Sequence, residues 1–341
     1  MRAVIGWDIG GAHLKAARVE NGRVVEALQI ASPLRLGVAR VADALTQAAA
    51  SLGSAERHAV TMTGELADTF AARREGVEAL SALAARHLRP LMLYAGRAGF
   101  IAPEQASDHV EDIASANWHA SAAFVAQGAG TALFADMGST TTDLVPVRDG
   151  AIAATGYTDA ERLAAGELVY TGLVRTPVMA MAQHAPVAGQ LTPLVNEHFA
   201  TMADVHRILG GLPEDADQMS TADGRDKTPA ASRARLARIV GRDAADLDDA
   251  AWAALARWLA EAQIRLVTDA AMLVVSRGCL PADAPVVGAG IGETMLRELA
   301  RRLGRAYVPF ASLLDVAPDA GRWASHCAPA AALAVLASRA G

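Results

Sequence analysis

Residues 4 to 27, VIGWDIGGAHLKAARVENGRVVEA, recur without a gap as residues 132 to 155, ALFADMGSTTTDLVPVRDGAIAAT, at an offset of 128. Asp8 lies over Asp136, Gly10 over Gly138, and the dipeptide Asn21-Gly22 over Asp149-Gly150. Each copy reads as an apolar strand ending in Asp, a tight turn of small residues, a second strand, an Asn-Gly or Asp-Gly hairpin and a third strand. A chain that carries this pattern twice is expected to build two related lobes, and 341 residues suffice for both.

The turns carry chemistry as well as shape. In the first, Gly10 and Gly11 let the backbone approach a ligand and aim successive N–H groups at an anion, while Asp8 is placed to hold a hydrated metal ion. In the second, Gly138 is followed by the hydroxyls of Ser139, Thr140 and Thr141, with Asp136 in the place of Asp8. Two such hairpins across a cleft are expected to grip a chain of phosphates, with Mg2+ between the carboxylates of Asp8 and Asp136. Only Lys15 and Lys227 among the 31 basic residues are lysine. An ammonium is a point charge where a guanidinium is a planar fork. Lys15, on the strand after the first turn, therefore reads as a phosphate ligand at a place where the fork does not fit.

A third glycine element lies late in the chain. APVVGAGIGETMLRELARRLG, residues 284 to 304, reads as a strand, a turn at Gly288, Gly290 and Gly292, and an amphipathic helix. A dinucleotide fingerprint would need glycine where Glu293 stands and an early position in the chain. No G-x-x-x-x-G-K-[ST] loop is present either.

Composition narrows the setting. Hydrophobic residues make up 52% of the chain, charged residues 20% and aromatic residues 4%, so alanine-rich helices are expected to pack closely. A net charge of -6 argues against a broad nucleic-acid surface. Asp8 interrupts the apolar core an export signal would need, and no run of about 18 apolar residues follows. Cys279 and Cys327 have no metal-type spacing. A cytoplasmic chain without nucleic-acid or membrane partners is expected.

The three glycine elements in this order resemble those of the actin-like ATPase superfamily, with phosphate loops at 8 to 15 and 136 to 143 and an adenosine loop at 288 to 293. The resemblance implies an α/β fold of two ribonuclease-H-like lobes with an interlobe cleft. ASANWHASA (114 to 122), YTGLVRTPVMA (170 to 180), NEHFATMADVHRILGGLPED (196 to 215) and TADGRDKTPAASRARLARIVGRD (221 to 243) are similar to the tetrahydromethanopterin-linked C1-transfer proteins. These belong to the hydantoinase/oxoprolinase-like branch and are related to the furan-methanamine synthases of methanofuran biosynthesis. The resemblance implies a transferase that joins a furanmethyl diphosphate to the phenol of a tyrosine or tyramine derivative and releases pyrophosphate. Its expected ligands are Mg2+, a small-molecule diphosphate and a phenolic acceptor, with ATP as an alternative occupant of the loops. Ala12 stands where many superfamily members carry Thr or Ser, which removes one hydroxyl from the first turn.

Further candidates stand outside the turns. Asp112 and Asn117, with His119, precede an alanine-rich helix and are candidates to deprotonate and orient an acceptor hydroxyl, although Asp112 equally suits a helix N-terminus. Asp143 and Lys227 complete the catalytic candidates. Arg235, Arg238 and Arg242 follow Lys227 as a helical stripe that reads first as a solvated face. Glu167 and Asp223 are further bases, Arg175 an anion ligand, and His198 and His206 structural or surface residues. The first lobe is expected over 1 to 128 with the C-terminal helix of about 321 to 341. The second is expected over 129 to 320, with a helical insertion near 190 to 262. A homo-oligomer is compatible with the chain. The competing readings are an ATP-dependent kinase, a hydantoinase-type hydrolase, and a nucleotide switch, the last disfavoured by the lack of an appended peptide-binding domain.

Overall fold

A computed structural model describes residues 3–340. The first copy of the repeat forms β1 (Ala3–Ile9), β2 (His13–Glu20) and β3 (Arg23–Ala31), and the sheet is completed by β4 (Arg57–Met62), β5 (Leu91–Tyr94) and β6 (Phe100–Ile101). Their order is β3-β2-β1-β4-β5-β6. β1 is antiparallel to β2 and parallel to β4, the ribonuclease-H-like arrangement expected.

The second copy forms β7 (Ala132–Met137), β8 (Thr142–Arg148) and β9 (Ala151–Ile152). With β10 (Leu168–Val169), β13 (Val286–Gly290) and β14 (Tyr307–Pro309) they give the order β10-β8-β7-β13-β14, β9 also pairing with β8. β11 (His184–Val187) and β12 (Gln190–Pro193) form a separate hairpin. β7, β8 and β9 thus repeat the roles of β1, β2 and β3, and β13 repeats that of β4. Both predicted hairpin turns are left-handed at both central residues: Asn21 and Gly22 have φ of 51° and 86°, Asp149 and Gly150 of 52° and 80°. That backbone matches the twist of the flanking strands.

The helices are α1 (Ala39–Leu52), α2 (Arg73–His87), α3 (Val110–Ile113), α4 (Asn117–Ala129), α5 (Asp159–Ala164), α6 (Met202–Ile208), α7 (Pro229–Ile239), α8 (Asp249–Val275), α9 (Glu293–Arg302), α10 (Gly321–His326) and α11 (Ala328–Arg339). Alternation along β1 sorts the first core. Ile5, Trp7 and Ile9 join Leu45 of α1 and Leu80 of α2, whereas Val4 joins Ala120 of α4 and Leu333 of α11. Gly6 shares the second face, and a Cβ there would stand 2.1 Å from the Ala330 carbonyl oxygen. Small residues on α11 and in β1 let helix and sheet meet backbone to backbone, as the alanine content implied.

Contacts divide the chain into two compact units. One contains the chain up to Phe134, Val145–Glu161 and everything from Val308, and the other contains Ala135–Leu144 and Arg162–Tyr307. This differs from the expected division at 128 and 320. β9 packs on α4, which draws residues 145–161 into the first unit. The returning chain joins β3 through a bridge between Val24 and Val316.

The arginine stripe on α7 is corrected by the structure. Arg235 is fully buried, and its guanidinium donates to Asp204 at 2.8 Å and Asp223 at 3.1 Å. Arg207 of α6 pairs with Asp217 at 2.5 Å. Arg235 turns inward because acidic residues from α6 and the loop before α7 neutralise it. Arg238 remains partly exposed, 3.4 Å from Asp223.

Candidate functional site

In the first unit, a three-residue turn joins β1 to β2, and the Gly10 N–H donates to the His13 carbonyl at 3.0 Å. A Cβ on Gly10 would lie 2.8 Å from that same oxygen, whereas one on Gly11 meets nothing within 4 Å. Gly10 therefore closes the turn and Gly11 leaves it open. Asp8 sits opposite Lys15 of β2 and beside Thr61 of β4, while Lys15 sits opposite Gln29 of β3. Directly paired residues share a sheet face, so Gln29, Lys15, Asp8 and Thr61 form a polar row across four strands. Asp8 and Gln29 are 4% and 8% exposed and Thr61 is fully buried, while Lys15 is half-buried.

The chain after β4 closes on this turn. Thr63 and Gly64 both donate N–H to the Ile9 carbonyl at 3.0 Å. Glu65 follows, 1% exposed, against the backbone of α2 where a Cβ on Gly76 would touch it at 2.4 Å. The Ser115 hydroxyl stands 2.7 Å from Glu65 Oε1 and 3.1 Å from Asp159 Oδ2, and Arg73 reaches that Asp159 oxygen at 3.1 Å. Burial pushes the Glu65 carboxyl up to about 7; the Asp159 charge adds to the rise, and Ser115 and Arg73 oppose it.

In the second unit the equivalent turn has the equivalent bond, Gly138 N–H to Thr141 carbonyl at 2.9 Å. Segment 171–176 clasps it: Leu173 donates to the Gly138 carbonyl at 3.0 Å and Arg175 N–H to the Ser139 carbonyl at 2.8 Å. The Arg175 guanidinium reaches Thr140 Oγ1 at 3.2 Å. Gly172 allows the approach, since a Cβ there would lie 2.5 Å from Thr140 N. Gln263 holds the clasp from α8, donating to Thr171 and to the Gly172 carbonyl at 2.9 Å while His206 binds its oxygen at 2.7 Å. His206 is thus structural, and burial keeps its pKa low.

Asp136 is 8% exposed and lies under the late glycines. A Cβ on Gly290 would stand 2.3 Å from Asp136 Oδ1, and the Gly292 N–H donates to the Met137 carbonyl at 3.1 Å. Gly288 departs from expectation: it is inside β13, not in the turn, and its open side is filled by the Tyr307 ring at 2.4 Å.

The structure thus places Asp8, Gly10, Gly11 and Lys15 at one turn, and Asp136, Gly138, Ser139, Thr140, Thr141, Gly290 and Gly292 at the other. Asp143, which occupies the Lys15 position in the second copy, pairs with buried Arg162 at 2.8 Å. Glu167 is fully buried and paired with Arg277. Asp112 lies 3.2 Å from His109, and Asn117 accepts the Trp118 N–H at 2.6 Å at the start of α4. Lys227 belongs to the buried ionic cluster, 3.3 Å from Asp217. Glu65, Thr61 and Gln29 were not singled out from sequence; only sheet register and tertiary contact bring them here. Among the described residues no group of three or more His, Cys, Asp or Glu side chains is arranged to hold a metal. One carboxylate per turn suits a hydrated Mg2+, which keeps most of its waters.

A duplicated sheet with an Asp-x-Gly turn at each corresponding strand end defines an α/β protein of the actin-like fold. More narrowly, the chain belongs to the hydantoinase/oxoprolinase family, whose model matches residues 56–334. It is 31% identical over 297 residues to the Methanocaldococcus jannaschii (4-(4-(2-(gamma-L-glutamylamino)ethyl)phenoxymethyl)furan-2-yl)methanamine synthase, covering 86% of this chain and 88% of that one. The Methanococcus vannielii protein of the same name is 38% identical over 107 residues, 31% of this chain and 46% of that one. A ROK family glucokinase from Streptomyces griseus aligns over 99% of each chain with a TM-score of 0.48 at 16% identity. No helix among the described residues is long and apolar enough to cross a membrane.

Proposed function

We propose that this enzyme is a transferase of methanofuran-type cofactor synthesis, joining a furanmethyl diphosphate to the phenol of a tyramine or tyrosine derivative and releasing pyrophosphate. The observation that carries the reading is the near-full-length similarity to a synthase whose named product contains a phenoxymethyl-furan ether. The substrates are small molecules, and the reading calls for no nucleic-acid or membrane partner and for a cytoplasmic protein.

In this reading the two turns are the diphosphate-binding elements. The Gly11 backbone N–H and the hydroxyls of Ser139, Thr140 and Thr141 receive phosphate oxygens, while the Gly10 and Gly138 N–H groups, expected as anion donors, are spent on closing the turns, and Lys15 and Arg175 supply positive charge. The leaving group gains negative charge as its carbon–oxygen bond breaks, so donors fixed beforehand favour departure. Asp8 and Asp136 would hold Mg2+, which when bound neutralises charge on the diphosphate. The phenol oxygen forms the new bond to the furan-borne methylene carbon.

The test is product analysis with furanmethyl diphosphate, a tyramine-type phenol and Mg2+, with and without ATP. Ether and pyrophosphate in equal amounts without ATP are expected. ADP without ether would overturn the reading in favour of the kinase or hydrolase class.

A further inference from the structure

We propose that Glu65 is a proton-operated latch on the first turn: as a neutral acid it holds the segment after β4 against Ile9 and Gly10, and as a carboxylate it lets that segment go. The inference deepens the diphosphate reading above, on which its ligand-binding consequence rests, by adding a control on the turn that presents the Gly11 N–H. Every residue of the latch belongs to the first unit.

The segment is fitted to the turn through backbone. Thr63 and Gly64 both spend their N–H groups on the Ile9 carbonyl. A Cβ on Gly64 would lie 3.0 Å from Leu34 Cδ2, 3.2 Å from the Ile9 oxygen and 3.4 Å from the Gly10 carbonyl carbon, so the missing side chain lets the two backbones meet. Leu34 in turn donates its N–H to the Gly11 carbonyl at 3.0 Å. A shift at Glu65 therefore reaches Gly10 and Gly11 through adjoining contacts.

A proton count explains why the latch has two positions. A hydroxyl has one hydrogen to donate, and Ser115 Oγ stands 2.7 Å from Glu65 Oε1 and 3.1 Å from Asp159 Oδ2. With Glu65 neutral, both contacts are bonds: the acid donates to Ser115, Ser115 donates to Asp159, and Arg73 neutralises Asp159. With Glu65 ionised, two carboxylates compete for one hydrogen, and one contact sets acceptor against acceptor. The carboxylate is then a charge at a site 1% exposed, and its Oε2 has no hydrogen-bond partner, which is a costly place for it. The charged groups that face it are Asp159 from α5 and Arg73 from α2, and Arg73 is already paired with Asp159. Otherwise α2 meets Glu65 through backbone at Gly76, and the segment before α4 meets it through the Ser115 hydroxyl. Moving residues 63 to 65 outward brings the carboxylate to water and breaks the two bonds to Ile9. Burial sets the switching range, pushing the carboxyl up to about 7.

The probe is pyrophosphate with Mg2+, titrated calorimetrically into wild type and Glu65→Gln, whose amide keeps a neutral donor at every pH. Pyrophosphate itself ionises over this range, so the ratio of the two dissociation constants is the readout. The two proteins are expected to bind equally at about pH 6, and wild type about tenfold more weakly at about pH 8.5. Hydrogen exchange gives a readout free of ligand: the Thr63 and Gly64 amides should exchange at equal rates in both proteins at about pH 6 and about tenfold faster in wild type at about pH 8.5. By reciprocity, bound pyrophosphate should raise the pH at which wild type loses its protonated-carboxyl infrared band, by about one pH unit for a tenfold preference. Binding and exchange ratios that are the same at both pH values overturn the latch. If pyrophosphate binds neither protein, the diphosphate reading fails, and amide exchange alone decides the latch. Should Glu65→Gln not fold, Asp159→Asn takes its place. With the serine's hydrogen and Arg73 left to Glu65, the segment should stay closed to higher pH than in wild type, and exchange at Thr63 and Gly64 that quickens at the wild-type pH overturns the latch.

Discussion

Lys15 is placed opposite Asp8 and Gln29 in a sheet row, where a compact ammonium fits between neighbours and a guanidinium must reach past them. Lys15→Arg keeps the charge and is expected to lower turnover at least about tenfold while shifting the thermal midpoint by no more than about 2 °C, measured as kcat beside a melting curve. Glu65 offers a prediction independent of turnover. Its carboxyl titrates at about 7 in the fold against an ordinary 4.5, so between those values the folded protein holds a proton that the unfolded chain has released. Stability contributed by that proton is full below about pH 4.5 and falls as pH rises to about 7, a change on the order of 3 kcal/mol. Urea midpoints across this range should fall with pH in wild type and flatten in Glu65→Gln.

Elements explain which of these residues could be read in advance. The two turns were legible because their chemistry is local: an Asp, a glycine and a hairpin dipeptide lie within about fifteen residues of one another, and the second copy repeats them. Thr61, Gln29 and Glu65 were not, since strands far apart in sequence deliver them through register. Arg235 was misread because helical spacing cannot say which side faces Asp204. Gly290 shows how closely the late loop is fitted. It has φ +85° and its Cβ position is 2.3 Å from Asp136 Oδ1, so Gly290→Ala should displace that carboxylate as well as cost about 1–2 kcal/mol of backbone strain. The expected readout is a higher Mg2+ requirement in the ether assay. Gly6→Val drives a side chain into α11 backbone and should destabilise by about 3 kcal/mol or more, seen as a lowered urea midpoint with m unchanged.

At the scale of the molecule, duplication produced one sheet plan twice, but the copies have diverged on the strand that follows each turn. The position that holds Lys15 in the first copy holds Asp143 in the second, and a buried arginine answers it. Removing Mg2+ with a chelator should abolish ether formation and re-addition restore it, with Asp8→Asn and Asp136→Asn needing more of the ion. One further property follows from the hold of Asp217 on Lys227. The chain has only two side-chain amines, and one is occupied in an ionic cluster while the other stands in the Asp8 row. Apart from the α-amino group, an amine-reactive reagent therefore has two side chains to act on, and protection of Lys15 from acylation by pyrophosphate would map the first turn without any mutation.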